Sequence, residues 1–344
     1  MNQDGAPTDL DIHAEVQNHA DAIIQTCSYY PSDYHMVVHT RPDDMQQVQA
    51  SLQSPFETSP TATLGMLDSL PVELVYMVLR RLDIRSFFHF RQVNRWARVL
   101  SAGIKDYRMV SRYGLEGLRG LLRAGIADYF DISDLYRPLV TDKCSTCGDF
   151  GTLLFLFTAE RCCFPCLGYL DHYFVLSRHI FTGGTRTRIS KRKLQRLAGP
   201  AVLKVVPGFY RYLNLYDRRS DSLRRPHAVR YLVHVESATQ MLLAADVINQ
   251  NVADKLTRSS NRSFDVDRAL RSAAATAYPW YCLANAKLER GVSCYGCADA
   301  GEQVYRAARR DFYDATRHFS TEGFLSHFST CLQAQRIWAE TRSS

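Results

Sequence analysis

DSLPVELVYMVLRRLDIRSFFHFRQVNRWARVLSAGI, residues 68–104, is the stretch on which the reading of the fold turns. Ser69 or Asp68 can cap a helix opened by Pro71, because proline is tolerated in a first turn, and Glu73 suits the positive end of that helix. Leu74, Val75, Val78, Leu79 and Leu82 then recur at helical spacing and mark one apolar face. Asp83-Ile84-Arg85-Ser86 interrupts it, with Ser86 a cap for a second helix bearing Phe87, Phe88 and Phe90. A third helix carries Val93, Trp96, Ala97, Leu100 and Ile104. Three short helices cannot bury all of this apolar surface among themselves, so the module needs a partner or a neighbouring domain.

Outward from this stretch the texture changes in both directions. The chain of 344 residues carries a net charge of +7, yet residues 1–65 hold nine acids and one base, Arg41. This acidic arm (1–65) has few apolar islands, Ile23-Ile24 and Tyr34–Val38 among them, and is expected to be largely disordered. Behind it stands a basic body suited to polyanions or acidic partners. Dense helical patterning fills 66–112 and continues through connecting helices at 113–143. A cysteine-rich segment follows at 144–170, then a mixed α/β region at 171–281 and a C-terminal helical region at 282–344. Within the mixed region, Ala201–Val206 and Tyr231–Val235 read as strands, and 236–256 and 264–276 as helices. The expected class is α+β.

No apolar leader or run of about 18 apolar residues is present, which places the chain in the cytoplasm, the nucleus or both. Disulfides are rare there, so the ten cysteines need another explanation.

Their spacing supplies one. Cys144-Ser-Thr-Cys147 and Cys163-Phe-Pro-Cys166 are two C-x-x-C turns with fifteen residues between them. Each turn offers two thiolates, and together they complete a tetrahedral zinc shell. Cys162 would also reach, so the third ligand is open between Cys162 and Cys163, with Cys163 restoring the symmetric pair. A second set is Cys294-Tyr-Gly-Cys297 followed by His327 and Cys331. The last two, four apart on one expected helix that also bears Phe324, Phe328, Ile337 and Trp338, would project from a single face. Each shell already has four protein ligands, so both zinc ions would be structural. Cys27 and Cys282 have no partners at useful spacing and read as buried or incidental thiols.

The chain contains no Gly-rich phosphate loop, no H-E-x-x-H and no G-x-S-x-G, so it is not expected to be an enzyme. The basic run 178–196 reads as a solvated loop, a nuclear-import or nucleic-acid patch, or a surface for acidic partners. The stripe Phe209, Tyr210, Tyr212 and Tyr216, interleaved with Arg211 and Arg218, reads as a base-stacking surface, core or protein contact.

Leu-Pro-Val-Glu-Leu at 70–74, Val78-Leu79, Leu82-Asp83, Ser86, Arg91-Gln-Val-Asn-Arg95 and Ala97 resemble the F-box. Phe87 departs from the family's usual Leu, and Ala97 stands where many members have Trp. The resemblance widens to fungal F-box proteins with cysteine-rich segments. They share the C-x-x-C…C-C-x-x-C pattern and a tail like Gly-Val-Ser-Cys-Tyr-Gly-Cys (291–297), followed by Gly-Phe-Leu-Ser-His-Phe-x-x-Cys-x-x-Ala-Gln-Arg-Ile-Trp (323–338). It implies a helical F-box followed by a mixed domain with two structural zincs. Leu70, Pro71, Leu74, Val78, Leu79, Leu82 and Val93 would dock a Skp-family adaptor and, through it, a cullin. The chain would then be the substrate-recruiting subunit of an SCF-type ubiquitin ligase, acting on an unidentified protein substrate. The alternative is a zinc-dependent nucleic-acid-binding regulator.

Overall fold

The computed structural model of the chain describes residues 9–30, 37, 49–53, 61, 63–185, 189–205, 231–257, 269–298 and 316–343. The stripe at 209–218, residues 186–188 of the basic run and residues 302–315 of the tail lie outside this set. Among the described residues, helices and small antiparallel sheets share the chain, and no helix is long and apolar enough to cross a membrane.

The helical module consists of α2 (Val72–Arg81), α3 (Ile84–Val93) and α4 (Arg95–Gly103), preceded by a 3₁₀ turn at Gly65–Ser69. Its caps differ from those expected. Pro71 itself occupies the N-cap of α2, and Asp68 instead accepts the Leu64 N–H at 2.6 Å, holding the preceding turn. Asp83, not Ser86, caps α3, accepting the Ser86 N–H at 2.9 Å; Asn94 caps α4, accepting the Ala97 N–H at 2.8 Å. Each side-chain oxygen satisfies an amide that a helix start leaves without an intrahelical acceptor.

The module is not a free-standing bundle. Val75, Leu79, Ile84, Phe87 and Leu100 merge into one core with α5 (Lys105–Tyr113), α6 (Leu115–Ala124) and α7 (Ile132–Leu139). That core continues through a sheet of β2 (Leu153–Phe155), β3 (Glu160–Cys162) and β7 (Ala275–Ala277), in the order β3-β2-β7. The apolar face expected on α2 therefore divides in two. Val75 and Leu79 are inside, whereas Leu74 and Val78 remain 45% and 53% exposed.

A second core lies around the sheet β4-β6-β5, formed by β4 (Val175–Ser177), β5 (Val202–Lys204) and β6 (Tyr231–His234). The two expected strands pair with each other, Leu203 opposite Leu232. Helices α9 (Arg178–Gly184), α10 (Lys191–Leu197), α11 (Val235–Ala244) and α12 (Gln250–Thr257) cover this sheet, while α8 (Phe164–Tyr169) belongs with the first core. Most of the described basic run is thus short helix, with Leu194 buried and Arg192, Lys193 and Arg196 exposed. The helix expected over 264–276 ends in strand instead, because Ala275–Ala277 pairs along β2.

The third core joins the two ends of the described chain. α1 (Asp9–Cys27) and β1 (Ser28–Tyr29) pack with β10 (Ser293–Cys294), α13 (Thr321–Phe328) and α14 (Leu332–Ser343). The expectation of disorder fails for residues 9–29: Ile23 and Cys27 are fully buried. Residues 49–53 are also tied down, since Arg91 donates to the Ser51 and Leu52 carbonyls at 2.7 and 3.1 Å. These segments lack a long apolar stripe of their own, and tertiary packing supplies what local pattern does not. A last hairpin, β8 (Trp280–Cys282) and β9 (Lys287–Glu289), links the first core to the third.

Candidate metal centres

The first centre is built by two local folds that meet. In the turn Cys144–Asp149, Gly148 adopts φ +79°, a left-handed conformation open to glycine, and its N–H reaches the Cys144 carbonyl at 3.0 Å. The Asp149 N–H then donates to the Cys147 sulfur at 3.4 Å, and Lys143 bridges Phe150 to close the loop. Opposite it, β3 delivers Cys163 to the N-cap of α8, where its sulfur accepts the Cys166 N–H at 3.4 Å. Behind both sits the buried Arg161. It donates to the carbonyls of Pro138 at 2.7 Å, Tyr278 at 3.1 Å, Pro279 at 2.6 Å and to that of Gly151, fastening the turn to α7 and the β7–β8 link.

Cys144, Cys147, Cys163 and Cys166 place their sulfurs within 4.8 Å of one another. This resolves the open third position in favour of Cys163. Cys162, the last residue of β3, is wholly buried in the core, and that burial pushes its thiol well up. Strand alternation points consecutive side chains to opposite faces, so only one of the two can reach the turn.

The second centre gathers Cys294, Cys297, His327 and Cys331 within the same span. The expectation that His327 and Cys331 share one helix is not met. His327 lies in α13, the helix ends before Ser329–Cys331, and Cys331 precedes α14. The Thr330 and Cys331 N–H groups both turn back to the His327 carbonyl at 3.0 Å. The ligands still converge, because this tight turn replaces the helical repeat. Phe319 stacks on the His327 ring with centroids 4.4 Å apart and fixes its plane. Gly296 allows the Cys294–Cys297 turn to lie on the start of α14: a Cβ there would meet the Ala334 nitrogen at 2.4 Å.

Both arrangements fit a tetrahedral ion. With metal–sulfur bonds of about 2.3 Å, a tetrahedron has S···S edges of about 3.8 Å and S···N edges of about 3.5 Å. The observed Cys147–Cys163, Cys294–Cys331 and Cys297–Cys331 separations are 3.6, 3.8 and 3.9 Å, and Cys297 Sγ to His327 Nε2 is 3.3 Å. A disulfide would need about 2.05 Å, and all ten cysteines are free thiols. Two Cys/His clusters that could hold zinc are therefore present.

The electrostatics follow from crowding. In the first centre, hydrogen bonds from Cys163 and Cys166 hold the Cys144 thiol far below its ordinary value, and the same hydrogen bonds with Cys144, ahead of its charge, push Cys163 and Cys166 up. In the second, hydrogen bonds from Cys294 and Cys297 lower Cys331, while Cys297 is raised. Burial opposes protonation of His327, yet hydrogen bonds to Cys294 and Cys331 lift it to about 9. Four thiols this close do not ionise together unless a cation compensates them.

Residues that spacing did not reveal complete the setting. Arg317 donates to Asp149 at 2.7 Å beside the first centre, its carbonyl accepts from the Ser293 hydroxyl beside the second, and two residues on Phe319 covers His327. Of the proposed docking residues, Leu70, Pro71, Leu74, Val78 and Val93 are exposed, Leu82 is half-buried and Leu79 is buried in the core. Leu79 is therefore removed from the surface set, because the core claims its face of α2. Met66, Leu67 and Met77, outside the motif, and Val72, within it but not in the docking set, stand exposed in the same segment.

No protein-family model matches the chain, and neither a curated protein nor a solved structure is significantly similar to it.

Proposed function

We propose that the chain recruits substrates to an SCF-type ubiquitin ligase, docking a Skp-family adaptor, and through it a cullin, with the outer face of residues 66–93. One observation carries this reading. The inner face of α2 is packed like any core helix, but Met66, Leu67, Leu70, Val72, Leu74, Met77, Val78 and Val93 are all exposed. Exposed apolar side chains gathered in one segment are a mark of interaction surfaces, and the Leu70-Pro71 motif from the F-box resemblance lies within that segment. In this reading Leu70, Pro71, Leu74, Val78 and Val93 touch the adaptor, with Leu82 at the rim. Leu79 supports them from within.

The metal in both clusters would be zinc, which suits thiolate–imidazole tetrahedra. Four protein donors leave no position for an activated water, so the centres brace the body that presents the substrate, and ubiquitin transfer belongs to other subunits. Changing Leu70 and Pro71 together to Ala should abolish co-purification with the adaptor and leave zinc content unchanged. Undiminished adaptor capture by that variant defeats the assignment.

A second reading, a zinc-dependent nucleic-acid-binding regulator, draws on the exposed Arg192, Lys193 and Arg196 of α10. Its signature would be binding that falls steeply as salt is raised.

A further inference from the structure

The second centre does more than join α13 to a turn. β1 runs antiparallel to β10 with Ser28 opposite Cys294 and Tyr29 opposite Ser293, so a ligand residue sits in the very strand that holds the N-terminal arm. Cys27, fully buried, donates its S–H to the Ala334 carbonyl at 3.4 Å. The N–H of that same Ala334 supports the sulfur of Cys331. Ile23 and Cys27 share one core with Cys294, Phe319, Phe324 and Phe328. Farther along α1, Glu15 accepts the Trp338 indole N–H at 3.1 Å and pairs with Arg342 at 2.5 Å. All these attachments fall on β10, α13, α14 and Phe319, which bridges to Val292 just before α13, the pieces that carry or buttress the four ligands.

We propose that metal at the second centre gates residues 9–29, clamping them as a strap when bound and releasing them when lost. The idea rests on this cluster holding zinc, as argued above, and goes beyond it by assigning the metal a switchable consequence. Without the ion, β10 and the first turn of α14 are no longer held in register. The strap then loses its β-pair and its apolar seat together. Release would uncover the free edge of β10 and the Phe324–Phe328 face of α13, an edge and groove of the kind that accept an added strand or helix. The coupling is reciprocal: what the metal does for the strap, the strap must do for metal affinity.

The test uses the full chain, with zinc as the probe. Hydrogen exchange is followed over residues 12–29 in the zinc-loaded parent and in Cys331→Ser, with zinc measured in the same samples and residues 72–104 as an internal control. Loss of the second ion should speed exchange in the strap roughly tenfold or more while the control stays put. Because Cys331→Ser could disturb the tail directly, Ile23→Asp attacks from the other side and keeps all four ligands. It should free the strap and weaken zinc at the second centre by about 5–150-fold, the usual range of coupling between sites. Unchanged strap protection in a sample shown to lack the second zinc overturns the proposal. So does unchanged zinc affinity in Ile23→Asp with the strap freed. A parent that holds zinc at the first centre and none at the second instead defeats the zinc reading of that cluster, and the gating with it.

Discussion

Truncating Leu74 and Val78 together to alanine separates a docking face from a packing face on one helix. These side chains are 45% and 53% exposed, whereas Leu79, on the same helix, is 2% exposed. Full burial of a leucine or valine side chain is worth about 1.5–3 kcal/mol. Roughly half of that remains for a partner at each position, so the pair offers the adaptor about 2 kcal/mol, or roughly a 30-fold change in affinity. The fold should lose less than about 1 kcal/mol per site, since no closed cavity forms and alanine favours a helix. Leu79→Ala, in contrast, should cost about 2–5 kcal/mol, because its cavity is walled by neighbours. Calorimetric titration of a purified Skp-family adaptor reads the first quantity and urea unfolding the second. Unweakened adaptor binding by the double variant would refute the reasoning. Equal destabilisation by Leu79→Ala and the double variant would refute the division of faces.

Three further outcomes are expected. Elemental analysis should find two zincs per chain, one for each cluster; Cys147→Ser and Cys297→Ser should each lose one, and Cys162→Ser neither. Gly296→Ala should cost about 1–3 kcal/mol and lower zinc affinity at the second centre, because the new methyl group collides with backbone rather than a yielding side chain; competition with a chelator measures it. His172 lies between Glu236 at 3.0 Å and Glu160 at 3.3 Å. Burial opposes its charge, but the two carboxylates outweigh burial and raise it above 6.5. Its contribution should thus be complete below the ordinary histidine value and fade as pH rises through the raised one. The stability gap between parent and His172→Gln should be larger at acid than at alkaline pH in urea titrations, and a gap that widened with pH would contradict the pairing.

What could be read in the sequence was what is local. The module around α2–α4 is legible because helical spacing and the break at Asp83–Ser86 are set by residues close in sequence, although the second break, at Asn94, was not seen and Val93 falls in α3 rather than the third helix. The C-x-x-C turns are legible for the same reason. Periodicity could not say which half of the α2 stripe faces inward, since Val75 and Val78 look alike until α5–α7 claim one side. Nor could it find β2, β3 and β7, strands of only three residues, the last of which pairs with β2 across more than a hundred positions. The choice between Cys162 and Cys163 needed the orientation of β3. α1 was missed because its partners are nearly the whole chain away, and the tail helix was overextended because the turn at Thr330–Cys331 has no proline or glycine to announce it.

The pairing of Ser28 with Cys294 also sets an order of events during synthesis. Among the described residues, and apart from neighbours within the arm itself, the apolar residues that share a core with Ile23 and Cys27 begin at Val292. A growing chain presents the arm long before its seat exists, and closing so wide a loop is the kind of non-local step that folds late. Until then Ile23, Ile24 and Cys27 form an uncovered apolar segment of the nascent chain, the sort of surface that chaperones bind. A product truncated anywhere before Val292 never covers it. The apolar side of α1 is therefore covered only once the C-terminal centre has been made.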